Sequence, residues 1–276
     1  VKAYFHKSFT LKRDNISKLL AFVSENPSAS RQEIAVETGI GIGKNVSDGK
    51  VRPTIQYAIY GGLLAPNAAE SQSEILLSDV GKVIVENDQR LKSAVTQWVI
   101  HYFLSRPQNE ALIWSFFVHE FLPQYTEFES QTLEEELMRR FADLSERINK
   151  ENRRVLTSCY TDGNALSKTG IVESYEKDKF IRGTSNYPNA FLAAYILAEI
   201  WEAKHGHNVS MVEPSVLLER GHLATTLNLN EGDLQNCLSE ISAIGAISQM
   251  REASPFQVVR KWSNKFDLLR RAYEEN

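Results

Sequence analysis

Cysteine is scarce in this chain. Cys159 and Cys237 are the only two among 276 residues, far apart and outside any CxxC pattern. That argues against a disulfide scaffold, a zinc ribbon and a cysteine-held iron–sulfur centre, and it fits a reducing cytoplasm. Long apolar runs are lacking too. "FLAAYILAEIW" (191–201) is about half the ~20 residues that a bilayer span needs. No stretch has the pattern of a signal peptide, so no membrane association is expected. No repeat of solenoid period is present. The charge excess is small as well, at −4. With no global basic field, any nucleic-acid contact has to be local. Residues 1–60 carry nine Lys or Arg against five Asp or Glu, a balance of +4, which leaves −8 for the remainder. The polyanion-facing surface is therefore expected near the N-terminal end.

The stretch that first suggests chemistry is "GIGIGKN" (39–45). A P-loop requires GxxxxGK followed by Ser or Thr, so that amides ring the phosphate and a hydroxyl meets magnesium. Thr38 stands where the first glycine belongs, and Asn45 follows Lys44. A dinucleotide GxGxxG fails as well, since the glycines run G-x-G-x-G and no strand pattern precedes them. The plainer account is a turn between two helices, because glycine tolerates positive φ and lets a backbone approach a phosphate.

The flanking periodicity supports that account. "DNISKLLAFVSEN" (14–26) places Ile16, Leu19, Leu20 and Val23 on one helical face, with Asp14 or Asn15 as cap. "SASRQEIAVETGI" reads as a short helix capped by Ser28 or Ser30 and closed by Gly39. A third helix begins between Ser47 and Pro53. "GGLLAP" and "ILLSDVGKVIVEN" then suggest a hairpin with a polar tip running into a short helix. Helix, helix, helix, hairpin is the order of a winged helix-turn-helix. In such a module the third helix enters the major groove.

Further on, helices are expected over 88–107, 109–123 and 130–154, the last with Thr132 and Glu135 in capping-box spacing. Residues 157–189 read as a connection with small helical turns. Helices over 189–206 and 230–245, a hairpin from "AISQMRE" to "FQVVRKW" and a terminal helix complete the chain. The expected fold is therefore mainly α with small β hairpins. It divides into an N-terminal winged helix-turn-helix (1–88), a helical middle (89–186) and a C-terminal winged-helix-like module (187–276).

The expected DNA-binding residues are Gly43, Lys44, Asn45, Lys50, Arg52, Gln56, Tyr57, His6, Lys12 and Arg13. Lysine and arginine supply phosphate contacts, while Asn45, Arg52 and Gln56 suit base edges. Tyr57 suits a phosphate or the core, and His6 a phosphate, a general base or a structural cap. The C-terminal helix carries Glu231, Asp233 and Glu240, which repel phosphates, and is a poor groove reader. Other signals point elsewhere. "HEFLP" is no zincin, since Pro123 stands where the second histidine belongs. "HGH" (His205, His207) lacks a third ligand nearby and reads as a helix-end cation. Glu134, Glu135 and Glu136 read as a solvated helix start. No catalytic group and no metal ligand can be named from spacing.

Taken in order, "YFHKSFTLKRDNISKLL", the GxGKN turn (Gly41, Gly43, Lys44, Asn45), "LSDVGKVI" and "SPFQVVRKWSNKFDLLRRAYEE" resemble the domain-of-unknown-function 4007 family across nearly the whole chain. The start departs from the commoner Gly-His-Glu-Thr-Phe form, since Phe5 replaces its glycine and Lys7 its glutamate. The tail has Ala272 before Tyr273. The resemblance implies a component of a DNA phosphorothioation system used in phage defence, acting on double-stranded DNA. It implies nicking of one strand, with Mg²⁺ or Mn²⁺ if the chain is such an endonuclease. It also implies PAPS-reductase-like and ATPase partners; a homodimer is a further arrangement to test. The alternative is a non-enzymatic transcription regulator or protein-interaction adaptor using the same winged helix.

Overall fold

A computed structural model describes residues 2–41, 48–66, 74–206, 208–250 and 257–275. The chain opens with a tight turn and enters α1 (Arg13–Glu25) at Lys12, which makes no side-chain cap. The cap comes from a distant loop. Arg13 N–H donates to Asn164 O at 2.9 Å and Asp14 N–H to Asn164 Oδ1 at 3.2 Å. That tertiary capping replaces the local Asp14 or Asn15 cap that the sequence suggested. Ile16, Leu19, Leu20 and Val23 are buried as expected. α2 (Arg31–Thr38) starts with a capping box between Ser30 and Glu33 and stops at Gly39, whose φ of 70° is left-handed.

A 3-10 turn (Asp48–Lys50) leads into α3 (Val51–Tyr60). Pro53 sits in its first turn, where a missing N–H costs little. Among the described residues the expected hairpin is a single antiparallel bridge, Leu64 to Leu77, extended by Ala65 N–H to Leu76 O at 2.9 Å. Ser78 then caps α4 (Asp79–Asn87) and also donates to Gly62 O at 2.5 Å.

Three expectations for the middle need correction. The helix expected over 88–107 begins only at α5 (Ala94–Ser105). Asp88 takes the N–H groups of Lys92 and Ser93 at 2.9 and 2.7 Å, and Leu91 turns at φ 53°. α6 (Leu112–Phe116) continues as a π turn (Phe117–Phe121), buried on nearly every side. The helix expected over 130–154 is two: β1 (Glu127–Glu129) runs into α7 (Ser130–Arg140), and α8 (Glu146–Thr161) restarts with Ser145 as cap. Phe141 is buried at the break, and the Thr132–Glu135 spacing caps nothing because the helix begins earlier. The expected connection over 157–189 contains the hairpin β2 (Val172–Glu176) and β3 (Lys179–Arg182). With β1 it forms a three-stranded antiparallel sheet, order β1-β3-β2, in which Phe128 pairs with Phe180 and their rings stack at 5.3 Å.

α9 (Ala190–His205), capped by Asn189, is buried continuously from Phe191 to Trp201. After β4 (Met211–Val212) come α10 (Leu223–Leu227), α11 (Glu231–Ala243) capped by Asn230, and the expected hairpin β5 (Ile247–Met250) and β6 (Gln257–Arg260). These strands form a second antiparallel sheet, order β4-β6-β5. α12 (Lys265–Glu274) closes the chain against α9 and α4. The fold is thus mainly helical, with two small sheets. Among the described residues no helix is long and apolar enough to cross a membrane.

Candidate nucleic-acid interface

The N-terminal ends of α1 and α3 lie side by side, and the segment from Phe9 to Lys12 runs between them. They enclose a cleft of about 160 Å³ lined by Phe9, Thr10, Lys12, Asn15, Ile16, Lys50, Pro53, Thr54 and Tyr57. Among the described lining residues there is no carboxylate. Lys50 is exposed, its ammonium 5.9 Å from the centre of the Phe9 ring. Arg52, two residues on, is also exposed, and Gln56, on the same helix face as Arg52, is half-buried. The Lys12 ammonium reaches the cleft and pairs with Asp162 at its edge.

The other expected contact residues lie elsewhere. Tyr57 is 2 % exposed and donates its hydroxyl proton to Phe9 O at 2.9 Å, which fixes the cleft wall from inside. Burial pushes its phenol well above 10. Arg13 is 6 % exposed. Its guanidinium donates to Ala165 O at 2.6 Å, Leu91 O at 2.5 Å and Gly163 O at 2.6 Å, so it ties α1 to the rest of the chain. His6 is fully buried. Its Nδ1 accepts the Ser8 N–H at 3.1 Å, which leaves the proton on Nε2 to be donated to Asn152 Oδ1 at 2.9 Å. Burial, only partly opposed by that bond to Asn152, lowers its pKa to about 4. A neutral, enclosed imidazole has no surface to offer a phosphate. Gly43, Lys44 and Asn45 lie outside the described residues.

Spacing gave no sign of the socket that shapes the cleft. Lys7 and Ser8 both adopt positive φ, 44° and 67°, without being glycine. Such backbone persists only where its surroundings over-determine it. Here α8 supplies those surroundings. Ser8 and Tyr4 both donate to Glu151, Arg154 donates to Ser8 O at 2.5 Å, and Asn152 holds His6. The bonds from Ser8 and Tyr4 hold Glu151 below the ordinary carboxylate value. These partners stand some 146 positions apart in sequence. The only legible trace was the histidine and hydroxyl pattern of "FHKSF" itself.

The remaining chemical candidates resolve into structure. Glu134 is buried rather than solvated, with Arg153 and Lys150 at 3.4 and 3.9 Å. His119 is buried, with Nδ1 3.1 Å from Thr225 Oγ1. His205 stands in the last turn of α9, as expected. Burial and the neighbouring Lys204 lower its pKa, and its Nε2 lies 3.3 Å from Nε2 of His222. His222 Nδ1 accepts the Leu223 N–H, so its Nε2 carries the proton shared with His205. His207 lies outside the described residues. Among the described residues no three His, Cys, Asp or Glu side chains converge on a point that could hold a metal ion.

The fold and cleft define a mainly helical protein with a local basic face at its N-terminal end. The family model described as "Protein of unknown function (DUF4007)" matches residues 4–273, and the chain belongs to that family. Two solved structures are similar to it. A magnesium ion-bound SspB crystal structure aligns with a TM-score of 0.77 at 16% identity, covering 98% of this chain and 87% of that one. A second SspB crystal structure aligns with a TM-score of 0.77 at 15% identity and the same coverage. At that identity the likeness concerns the fold. No curated protein matches.

Proposed function

We propose that this protein is the DNA-binding component of a DNA phosphorothioation system, and that it nicks one strand to admit sulfur chemistry. The observation that carries the DNA contact is the exposure of both Lys50 and Arg52 at the start of α3, a few residues after the GxGKN motif. In this reading residues 1–88 act as a winged helix-turn-helix, α3 is the recognition helix, and Gln56 follows Arg52 toward the base edges. Family membership and the SspB-like fold support the system; the PAPS-reductase-like and ATPase components are its partners there, in the cytoplasm.

Among the described residues no cluster of three or more metal-ligating side chains is present, so no ligand is named and no step is assigned through a cation. In the second reading the chain binds DNA as a non-enzymatic adaptor or transcription regulator. One experiment separates the two. Supercoiled plasmid is incubated with the pure protein, with and without Mg²⁺ or Mn²⁺. Conversion to nicked circles supports the nickase, and unchanged supercoils support the adaptor. DNA affinity is measured alongside as a function of salt. Arg52→Ala should weaken binding and reduce the salt slope by about 1, as one lost phosphate contact does. Affinity independent of salt would refute both readings.

A further inference from the structure

We infer that the cleft between the N-terminal turn and α3 seats a single phosphate group, supplied by the DNA backbone. This rests on the DNA-binding reading and makes it more specific. Size limits the ligand first. At about 160 Å³ the cleft falls below the ~300–1,000 Å³ of pockets that take drug-sized molecules. It has room for a phosphate group and too little for a whole nucleotide. Charge decides the class next. Lys12 and Lys50 approach from two different elements, and among the described lining residues there is no carboxylate. Thr10 and Asn15 add neutral donors at the same wall, while Thr54 spends its proton on Lys50 O at 2.8 Å. The apolar part of the lining, Phe9 with Ile16 and Pro53, lowers the local dielectric and strengthens whatever charge interaction forms there.

The wall has been built at a cost. Phe9 and Thr10 follow two consecutive non-glycine residues at positive φ, held by Glu151 and Asn152 of α8. Strained, over-determined backbone of this kind gathers at ligand clamps and active sites. Tyr57 pins the Phe9 carbonyl from below, and the Phe9 ring carries the Lys50 ammonium above it. Among the described residues Asp162 is the acid that engages the cleft, through its ion pair with Lys12; the nearby Asp14 is occupied with Asn164. A further exposed cation, Arg52, stands two residues beyond Lys50 and favours a strand of DNA, which carries a row of phosphates, over a free anion as the source.

The test uses the full chain. Backbone amide resonances of Thr10, Asn15 and Thr54 are followed while sodium phosphate replaces sodium chloride at constant ionic strength. In parallel, duplex DNA affinity and its salt slope are measured for the parent, Lys12→Gln, Lys50→Gln and Asp162→Asn. The three amides should shift with phosphate, and each lysine variant should lower the salt slope by about 1. Asp162→Asn should bind DNA at least as tightly as the parent, because it releases Lys12. Glu151→Gln loosens the turn without removing a charge from the cleft, so it should weaken affinity while leaving the slope unchanged. Unmoved amides, together with a Lys12→Gln slope equal to the parent's, would overturn the assignment. Amides that shift in a protein without DNA affinity would leave the cleft as a phosphate site and remove DNA as its source.

Discussion

Replacing Arg13 by methionine separates an architectural arginine from a DNA-contacting one. Methionine keeps much of the aliphatic stem and removes every donor. Three carbonyls lose their partner: Ala165 O and Leu91 O are buried and Gly163 O is partly so. An unsatisfied buried acceptor costs about 1–3 kcal/mol, so the two buried ones and a fraction of the third give a loss of about 4 kcal/mol. Unfolding entropy near 2.1 cal/mol/K per residue amounts to about 0.6 kcal/mol/K for a chain of 276 residues. The expected fall in Tm is therefore about 7 °C, read by circular dichroism or scanning calorimetry. Lysine at the same position should fall in between, since its single ammonium cannot span three carbonyls. DNA affinity measured well below the lowered Tm should stay within about two-fold of the parent. An Arg13→Met protein that melts within ~2 °C of the parent but has lost DNA binding would refute the assignment.

Acid should weaken the fold early, through buried neutral histidines. The pKa of His6 and of His101 is lowered to about 4 by burial, against an unfolded value near 6.5. The unfolded chain then binds the extra protons, so stability is full above pH ~6.5 and falls progressively toward pH ~4. Each contributes about 2 kcal/mol of loss by pH 5, visible as a lower urea midpoint, and His101→Gln should make the decline shallower. Cys159 is fully buried, and burial pushes its thiol up to about 12. Thiol reagents should therefore leave it unmodified in native buffer and label it on unfolding; rapid native labelling would contradict the packing. Gly81→Ala should destabilise α4 by at least ~1–3 kcal/mol, because a Cβ there would meet Leu63 O at 2.0 Å, and a wild-type Tm would refute that docking.

How much of this was legible in the sequence follows the range of the interactions. Helices whose start and stop are local came through. The Ser30–Glu33 box, Gly39, Asn189 and Asn230 each act within a turn of their own position. Boundaries set from elsewhere did not. The Asn164 loop caps α1 from across the fold. Asp88 is a local exception: it delays α5 through bonds to residues four and five positions on, which hydrophobic periodicity does not register. The first sheet was missed because its strands are short and mostly solvent-facing. Only Phe128, Val172 and Phe180 in them are buried, too few to set up an alternating pattern.

The candidate site divides along the same line. Lys50 and Arg52 could be chosen from sequence because a cation at a helix start is exposed by default. Tyr57, Arg13 and His6 could not be assigned, since each is amphipathic enough to serve either surface or core, and only tertiary partners decide. The partners of His6 make the point sharply. A histidine flanked by hydroxyl and basic residues reads as chemistry, yet Asn152 and the Ser8 N–H use both of its nitrogens to hold a strained turn. Under the phosphate-site proposal, "FHKSF" acts through the backbone turn that sets Phe9 and Thr10 at the cleft wall, and not through its histidine. On that argument Lys7 can replace the glutamate of the commoner family start without loss, because position 7 is exposed and bears only a backbone requirement. Lys7→Glu should keep the Tm of the parent and change DNA affinity only by the long-range, salt-screened amount that a surface charge exerts. A folded Lys7→Glu protein that gained or lost nicking outright would show that the turn's side chains, rather than its backbone, do the chemistry.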